Sequence, residues 1–147
     1  MPTHYTGDAE TVRALDTFIK LSRAAESVGA RVNAHLQDFN LTVSQFGVLE
    51  ALYHLGTLQA GELAGKILKS GANMTTVLDN LEKRALVSRI RKDDDRRCVE
   101  VHLTEAGRAL IATILPAHVE RVRDAFARLG PDEQETLGAL CKKLGRS

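Results

Sequence analysis

At 147 residues, the chain has the length of one ordinary domain and is long enough to bury an apolar core. It is 44% hydrophobic and 27% charged with a net charge of +1, a composition that excludes disordered, fibrous and strongly basic proteins. No apolar stretch approaches the roughly 20 residues of a membrane span, and no secretory leader is recognisable, so we expect a cytoplasmic protein with no membrane partner.

The first half of the chain predicts three helices. Residues 9–37 keep an apolar period near 3.6, and their stripe is wider than one neighbouring helix would cover, which favours burial at a subunit interface. Residues 41–55 form the next helix, where Thr42 and Gln45 have the spacing of a capping box and Gly56 ends the helix. A short helix over residues 59–67 follows.

The next helix is predicted over residues 71–84, with Ser70 as its N-cap, and the chain is organised around it. One face is apolar, while the other carries small, hydrogen-bonding side chains where an ordinary surface helix would carry long charged ones. Such a face suits a helix that lies in a DNA major groove, although a packed helical hairpin with a solvated face is the alternative. The predicted DNA-binding residues here are Ser70, Gly71, Ala72, Asn73, Thr75, Thr76, Asn80 and Lys83.

Asp79 also faces outward from this helix, where an acid would repel DNA phosphates. We therefore expect Lys83, one turn further on, or an arginine of the following hairpin to neutralise it.

A charged β-hairpin follows the helix predicted over residues 71–84, which we call the predicted recognition helix. Residues 86–90 and 98–103 have the pattern of two strands, and residues 91–97 are predicted to be a loop too charged to be buried. Residues 66–97 hold nine basic and five acidic side chains, so the positive charge lies where a phosphate backbone would be met. The predicted DNA contacts of the hairpin are Arg91, Lys92, Asp95, Arg96 and Arg97.

Two further helices complete the chain. Thr104 caps a long helix that runs to about residue 129, inside which Pro116 should produce a kink or a local break. Gly130 and Pro131 then start a final amphipathic helix, in which Cys141 is expected in the core or an interface. The predicted fold is mainly α with a small β-hairpin wing (α+β): a winged helix-turn-helix with a DNA-binding lobe at 41–103, including a wing at 87–103, and dimerisation helices at 9–40 and 104–147.

The sequence resembles the MarR family of transcriptional regulators over essentially its whole length. The most specific match is Asp95-Arg96-Arg97 followed by alternating valines and Leu103-Thr104-Glu105-Ala106-Gly107, and residues 49–56, 61–64 and 75–84 extend it. The resemblance implies an obligate homodimer on palindromic double-stranded operator DNA, with Asp95 orienting Arg97 towards a minor groove. It also implies a repressor released by a small aromatic, phenolic or quinone compound, or by an oxidant.

The chain departs from the family pattern at two positions. Ala85 stands where a glycine is usual after the recognition helix, and alanine there costs about 1 kcal/mol if the backbone is left-handed. Cys98 stands where a plain small residue is usual in the family. It follows Arg96 and Arg97, whose charges would favour a thiolate, so it is a possible redox site.

The sequence leaves the effector and its pocket unknown. The histidines lack the spacing of a metal site, and the chain shows no catalytic arrangement, so no metal, cofactor or enzyme activity is expected. The alternative function is a helical adaptor protein that keeps the fold without binding specific DNA.

Overall fold

The structure is a computed structural model that describes residues 2–67, 71–92 and 95–146, with only the backbone described at 71–72, 92 and 95–97. The chain forms two compact units, one made of residues 1–34 and 118–147 and the other of residues 35–117. None of the helices in the described ranges is long and apolar enough to cross a membrane.

The first unit is helical. It contains α1 (Ala9–Asn33), the second half of α5 (Glu105–Phe126) and α6 (Pro131–Leu144). Asp8 caps α1 by accepting the backbone N–H and the hydroxyl of Thr11, and these two bonds hold the pKa of Asp8 below its ordinary value. As predicted, Pro131 is the first residue of α6. The sequence predicted a kink or a local break at Pro116; α5 runs through Pro116 without interruption, so a break does not occur.

The second unit holds the apolar core. The first helix was predicted to continue to residue 37. Instead, the chain after α1 forms a 3-10 helix (Ala34–Phe39) that buries His35 and Leu36. It then forms α2 (Val43–Leu55), α3 (Ala60–Lys66) and α4 (Gly71–Lys83). The predicted capping box of α2 is confirmed, since Thr42 accepts the N–H of Gln45 and Gln45 accepts the N–H of Thr42.

A three-stranded antiparallel sheet packs against these helices, with strand order β1 (Leu58–Gln59), β3 (Asp95–Leu103) and β2 (Val87–Lys92). Val101 of the central strand pairs with Leu58 on one side and with Arg89 on the other, and it is fully buried. Sequence patterns did not predict β1, because two residues are too few to show alternation. The largest fully buried side chains of this unit are those of Leu36, Leu49, Leu52, Leu63, Met74, Leu78, Leu81, Ile111 and Ile114.

Candidate nucleic-acid interface

Helix α4 is anchored by its apolar face. Met74, Leu78 and Leu81 are at most 2% exposed, and Val77 is half-buried beside them. This burial fixes the rotation of the helix about its own axis and leaves two polar faces for other contacts. The predicted N-cap Ser70 lies outside the described residues, and Gly71 and Ala72 are described by their backbone alone as the first residues of α4.

The first polar face is exposed and contains most of the predicted base-contacting residues. Asn73, Thr76, Asn80 and Lys83 all belong to it and are exposed. None of these four side chains belongs to the buried core of the unit. Their short amide and hydroxyl groups can both donate and accept hydrogen bonds, as base edges require.

The second polar face of α4 is turned towards the hairpin. Thr75, Asp79 and Glu82 follow one another at helical spacing and line a cleft of about 390 Å³ whose other wall is Arg89, Arg91 and Val99. Thr75, which the sequence analysis grouped with the exposed base-contacting residues, therefore lies on the hairpin side of the helix. The predicted neutralisation of Asp79 by an arginine of the hairpin is confirmed: Arg89 of β2 lies 2.5 Å from it.

Arg89 also engages Glu82. The same guanidinium nitrogen that donates to Asp79 donates to Glu82 at 3.0 Å, and the backbone N–H of Arg89 donates to the other carboxylate oxygen of Glu82 at 3.1 Å. The hydrogen bond from the Arg89 side chain is the main reason that the pKa of Glu82 lies below its ordinary value. The bond to Glu82 likewise raises the pKa of Arg89. Sequence analysis counted Arg89 only as a basic residue and did not identify this role.

The C-terminus of α4 is closed by a left-handed residue. Ala85 has φ 58°, which confirms the left-handed backbone that the sequence analysis considered at this position. The N–H of Ala85 donates to the carbonyl of Glu82 and the N–H of Leu86 to that of Leu81, which is the Schellman pattern that glycine normally serves. Arg84 donates to the carbonyl oxygens of Phe39 and Asn40 and so connects this end of α4 to the end of the 3-10 helix.

The start of α5 is packed against the same turn. The Thr104 hydroxyl donates to the carbonyl of Ala85 at 2.7 Å and accepts the N–H of Gly107 at 3.0 Å. The N–H of Thr104 donates to the carbonyl of Leu86. A Cβ atom at Gly107 would lie only 2.1 Å from the Leu86 carbonyl oxygen. Thr104 and Gly107 thus allow α5 to begin in direct contact with the turn that ends α4.

The charged part of the hairpin is more regular than predicted. Instead of a loop over residues 91–97, β2 extends to Lys92 and β3 begins at Asp95, and a register shift after Arg91 lets these two residues pair. Charge in the side chains does not prevent this, because a two-stranded ladder leaves side chains in solvent while the backbone pairs. Arg91 is exposed. Asp93 and Asp94 lie outside the described residues, as do the side chains of Lys92, Asp95, Arg96 and Arg97.

The cysteines and the outer face of the sheet give less information. Cys98 is half-buried in β3 and alternates with Val99, so it lies on the opposite face of the sheet from the buried Val101. Cys141 is exposed on α6 rather than part of the core of this chain.

Within the described ranges there is no group of three or more His, Cys, Asp or Glu side chains that could hold a metal ion.

The architecture defines a class of protein: a helix-turn-helix with an exposed polar recognition helix, followed by a β-hairpin wing, is the arrangement of winged-helix transcriptional regulators. The MarR family model matches residues 41–99. MhqR, an HTH-type transcriptional regulator of Bacillus subtilis (strain 168), is 33% identical over 135 residues, covering 92% of this chain and 93% of that protein. This chain belongs to the MarR family and is a DNA-binding transcriptional regulator, not an enzyme.

Two solved structures with substantial identity agree with this assignment. BpsR of Bordetella bronchiseptica, whose DNA binding is regulated by 6-hydroxynicotinic acid, superposes with a TM-score of 0.81 at 28% identity over 88% of this chain and 98% of that one. NadR in complex with 4-hydroxyphenylacetate superposes with a TM-score of 0.71 at 28% identity over 98% of this chain and 97% of that one. Both of these compounds are small aromatic acids.

Proposed function

We propose that this protein is a homodimeric repressor that binds palindromic operator DNA in the cytoplasm and is released by a small aromatic acid or phenol. The observation that carries the proposal is the polar face of α4, where Asn73, Thr76 and Asn80 are exposed to solvent next to a basic hairpin. These side chains would contact base edges in the major groove, and Lys83 would contact phosphate. The wing residues Arg91, Lys92, Arg96 and Arg97, with Asp95 as the orienting acid, would reach the adjacent minor groove.

The uncovered apolar surface of the first unit supports the homodimer. Leu140 and Leu144 of α6 are 58% and 68% exposed, and Phe18 of α1 is 63% exposed. No residue of α6 is buried within the single chain. Several large apolar side chains exposed on one small unit are typical of an interface, and two copies would place two recognition helices on two half-sites of a palindrome.

The ligand class is supported by BpsR and NadR, which both respond to or bind a monocyclic aromatic acid. A ligand of this kind would act by binding more tightly to a dimer whose recognition helices no longer match two successive grooves. Oxidation at Cys98 is the other route that the sequence offers, because an altered side chain in β3 would change the wing directly.

Fluorescence anisotropy with a labelled duplex from the region upstream of the protein's own gene tests the proposal. The wild type should bind tightly and with a strong salt dependence, and 6-hydroxynicotinate or 4-hydroxyphenylacetate should release it. Peroxide and a quinone, tested on the wild type and on Cys98→Ser, address the oxidative route. Absence of binding at every salt concentration would contradict the proposal and favour the adaptor protein instead.

Three variants test the assignment of residues. Asn73→Ala and Thr76→Ala should relax base preference, whereas Lys83→Ala should weaken all sequences alike and lower the salt slope by about one. Lys20→Ala, a change of the same charge on α1 of the other unit, serves as the control and should leave the affinity nearly unchanged. Equal effects of the three α4 variants on every sequence would contradict the recognition-helix assignment.

The dimer is tested by light scattering coupled to size exclusion. The wild type should elute as a dimer, and Leu140→Asp should shift it towards the monomer because a charge would replace an exposed leucine in the interface. A monomeric wild type at micromolar concentration would rule out the dimer.

A further inference from the structure

Two carboxylates on the recognition helix stand out because DNA phosphates would repel them. Asp79 and Glu82 have side chains that are 47% and 42% exposed, so neither is withdrawn into the core. Both lie on the face of α4 that is turned towards β2, and both are held by Arg89. Their arrangement therefore concerns how the helix and the hairpin are joined.

We call the hydrogen bonds of Arg89 to Asp79 and Glu82 the joint between α4 and β2, and Arg89 is the donor of all three. One guanidinium nitrogen serves both carboxylates, and the backbone N–H of the same residue donates to the second oxygen of Glu82. One carboxylate oxygen of Glu82 thus accepts from the side chain of Arg89 and the other from its backbone, so Glu82 holds the backbone of β2 as well as the guanidinium. Hydrogen bonds between charged groups are roughly twice as strong as neutral ones and are sensitive to geometry.

Arg89 lies on β2 at the boundary between the buried and the exposed part of the strand. Val87, two residues earlier on the same face, is buried in the core, whereas Arg91, two residues later, is exposed. Beyond Val87, α4 and the hairpin line a mostly polar cleft of about 390 Å³. Arg89 bridges α4 and β2 at this cleft, just past the point where the apolar packing around Val87 ends.

We propose that Arg89 is a positioning residue for DNA binding: by joining Asp79 and Glu82 of α4 to β2, it sets the wing at the angle that lets helix and wing bind DNA together. The inference rests on the proposed function, since it assumes that α4 and the hairpin both contact DNA. Arg89 itself need not touch the DNA, because its guanidinium is turned to the carboxylates of the helix.

The inference makes a prediction opposite in sign to simple electrostatics. Removing an acid from a DNA-binding helix should tighten binding, because the phosphate backbone is then repelled less. If Asp79 instead helps to hold the wing, Asp79→Asn should weaken DNA binding by at least about threefold, since the uncharged amide oxygen holds the Arg89 guanidinium less strongly than the carboxylate does. Asp38→Asn, which removes the same charge from an exposed position in the 3-10 helix, is the matched control and should bind equally well or slightly more tightly.

Arginine variants test the joint from its other side. Arg89→Gln should weaken binding by about tenfold, and Arg89→Lys should recover most of that loss because an ammonium group can still donate to a carboxylate. Melting curves at one protomer concentration establish that each variant is folded at the assay temperature. If Arg89→Gln does not fold, Asp79→Asn answers the question alone, because it leaves both bonds of Arg89 to Glu82 in place.

A double-mutant cycle with Arg97→Ala separates positioning from general stability. If Arg89 acts through the wing, Arg97→Ala should cost at least about threefold less affinity in the Asp79→Asn background than in the wild type, because the wing is already misplaced. Additive losses, or tighter binding by Asp79→Asn, would overturn the inference while leaving the proposed function intact. Failure of the wild type and of Asp38→Asn to bind DNA would overturn both.

Discussion

Gly107→Ala tests the packing of α5 against the turn that ends α4. The new Cβ would lie 2.1 Å from the carbonyl oxygen of Leu86 and 2.8 Å from the Leu103 side chain, whereas ordinary contacts begin at 3.4 Å. The first of these atoms is backbone and cannot rotate away, so α5 must retreat by more than 1 Å from the turn. That retreat lengthens the bonds from Thr104 to the carbonyls of Ala85 and Leu86.

The free-energy cost follows from these contacts. Losing two hydrogen bonds costs about 1 kcal/mol each, and the residual overpacking costs about 1–3 kcal/mol. The better helix propensity of alanine returns about 1 kcal/mol. We expect a net loss of about 2–4 kcal/mol in the free energy of unfolding, which for a chain of this size lowers the melting temperature by about 5–15 °C.

Urea denaturation followed by far-ultraviolet circular dichroism measures this loss at one fixed protomer concentration. Gly61→Ala is the matched control, because Gly61 is also helical and its added Cβ would meet no heavy atom within 4 Å. The control should be unchanged or slightly more stable. A Gly107→Ala protein as stable as the control would show that the backbone at Leu86 yields easily, and the steric argument would be refuted.

Three further predictions concern the same region. Ala85→Gly should raise the free energy of unfolding by about 0.5–1 kcal/mol, because glycine adopts φ 58° without strain; a lower urea midpoint would contradict this. Thr104→Val should cost about 1–2 kcal/mol in the same assay, since it removes the bonds to Ala85 and Gly107, whereas Thr104→Ser should be close to wild type. Arg89 lowers the pKa of Glu82 below its ordinary value of 4.5, so the ionised Glu82 stabilises the fold above pH 4.5, and this contribution is lost as the pH falls through the lower pKa of the folded state. The difference in free energy of unfolding between the wild type and Glu82→Gln should therefore narrow on acidification. A difference that stays constant with pH would rule out this linkage.

Local patterns in the sequence predicted the parts of the fold that depend on local interactions. The capping box at Thr42 and the start of α6 at Pro131 need only neighbours within one turn, and both are confirmed. The left-handed backbone at Ala85 was considered only because the family that the sequence resembles usually has glycine at this position. The apolar face of α4 likewise followed from its spacing, as the burial of Met74, Leu78 and Leu81 shows.

What the sequence could not predict depends on partners distant along the chain. β1 exists only because Leu58 meets Val101, 43 positions later, and its two residues carry no pattern of their own. The extension of the hairpin to Lys92 and Asp95 depends on a register shift that leaves no mark in the composition. Arg89 was recognisable only in part: it follows the buried Val87 at a strand period, so it faces the helices, but its partners could not be chosen from sequence alone.

The bonds of Arg84 join parts of the chain that are far apart in sequence. Its guanidinium donates to the carbonyls of Phe39 and Asn40, which lie 45 and 44 positions earlier, at the end of the 3-10 helix that follows α1. The last turn of α4 therefore cannot shift without breaking two hydrogen bonds to that segment, or carrying it along. Each of these hydrogen bonds that a displacement breaks costs free energy, and by thermodynamic reciprocity this cost opposes movement of either segment relative to the other equally.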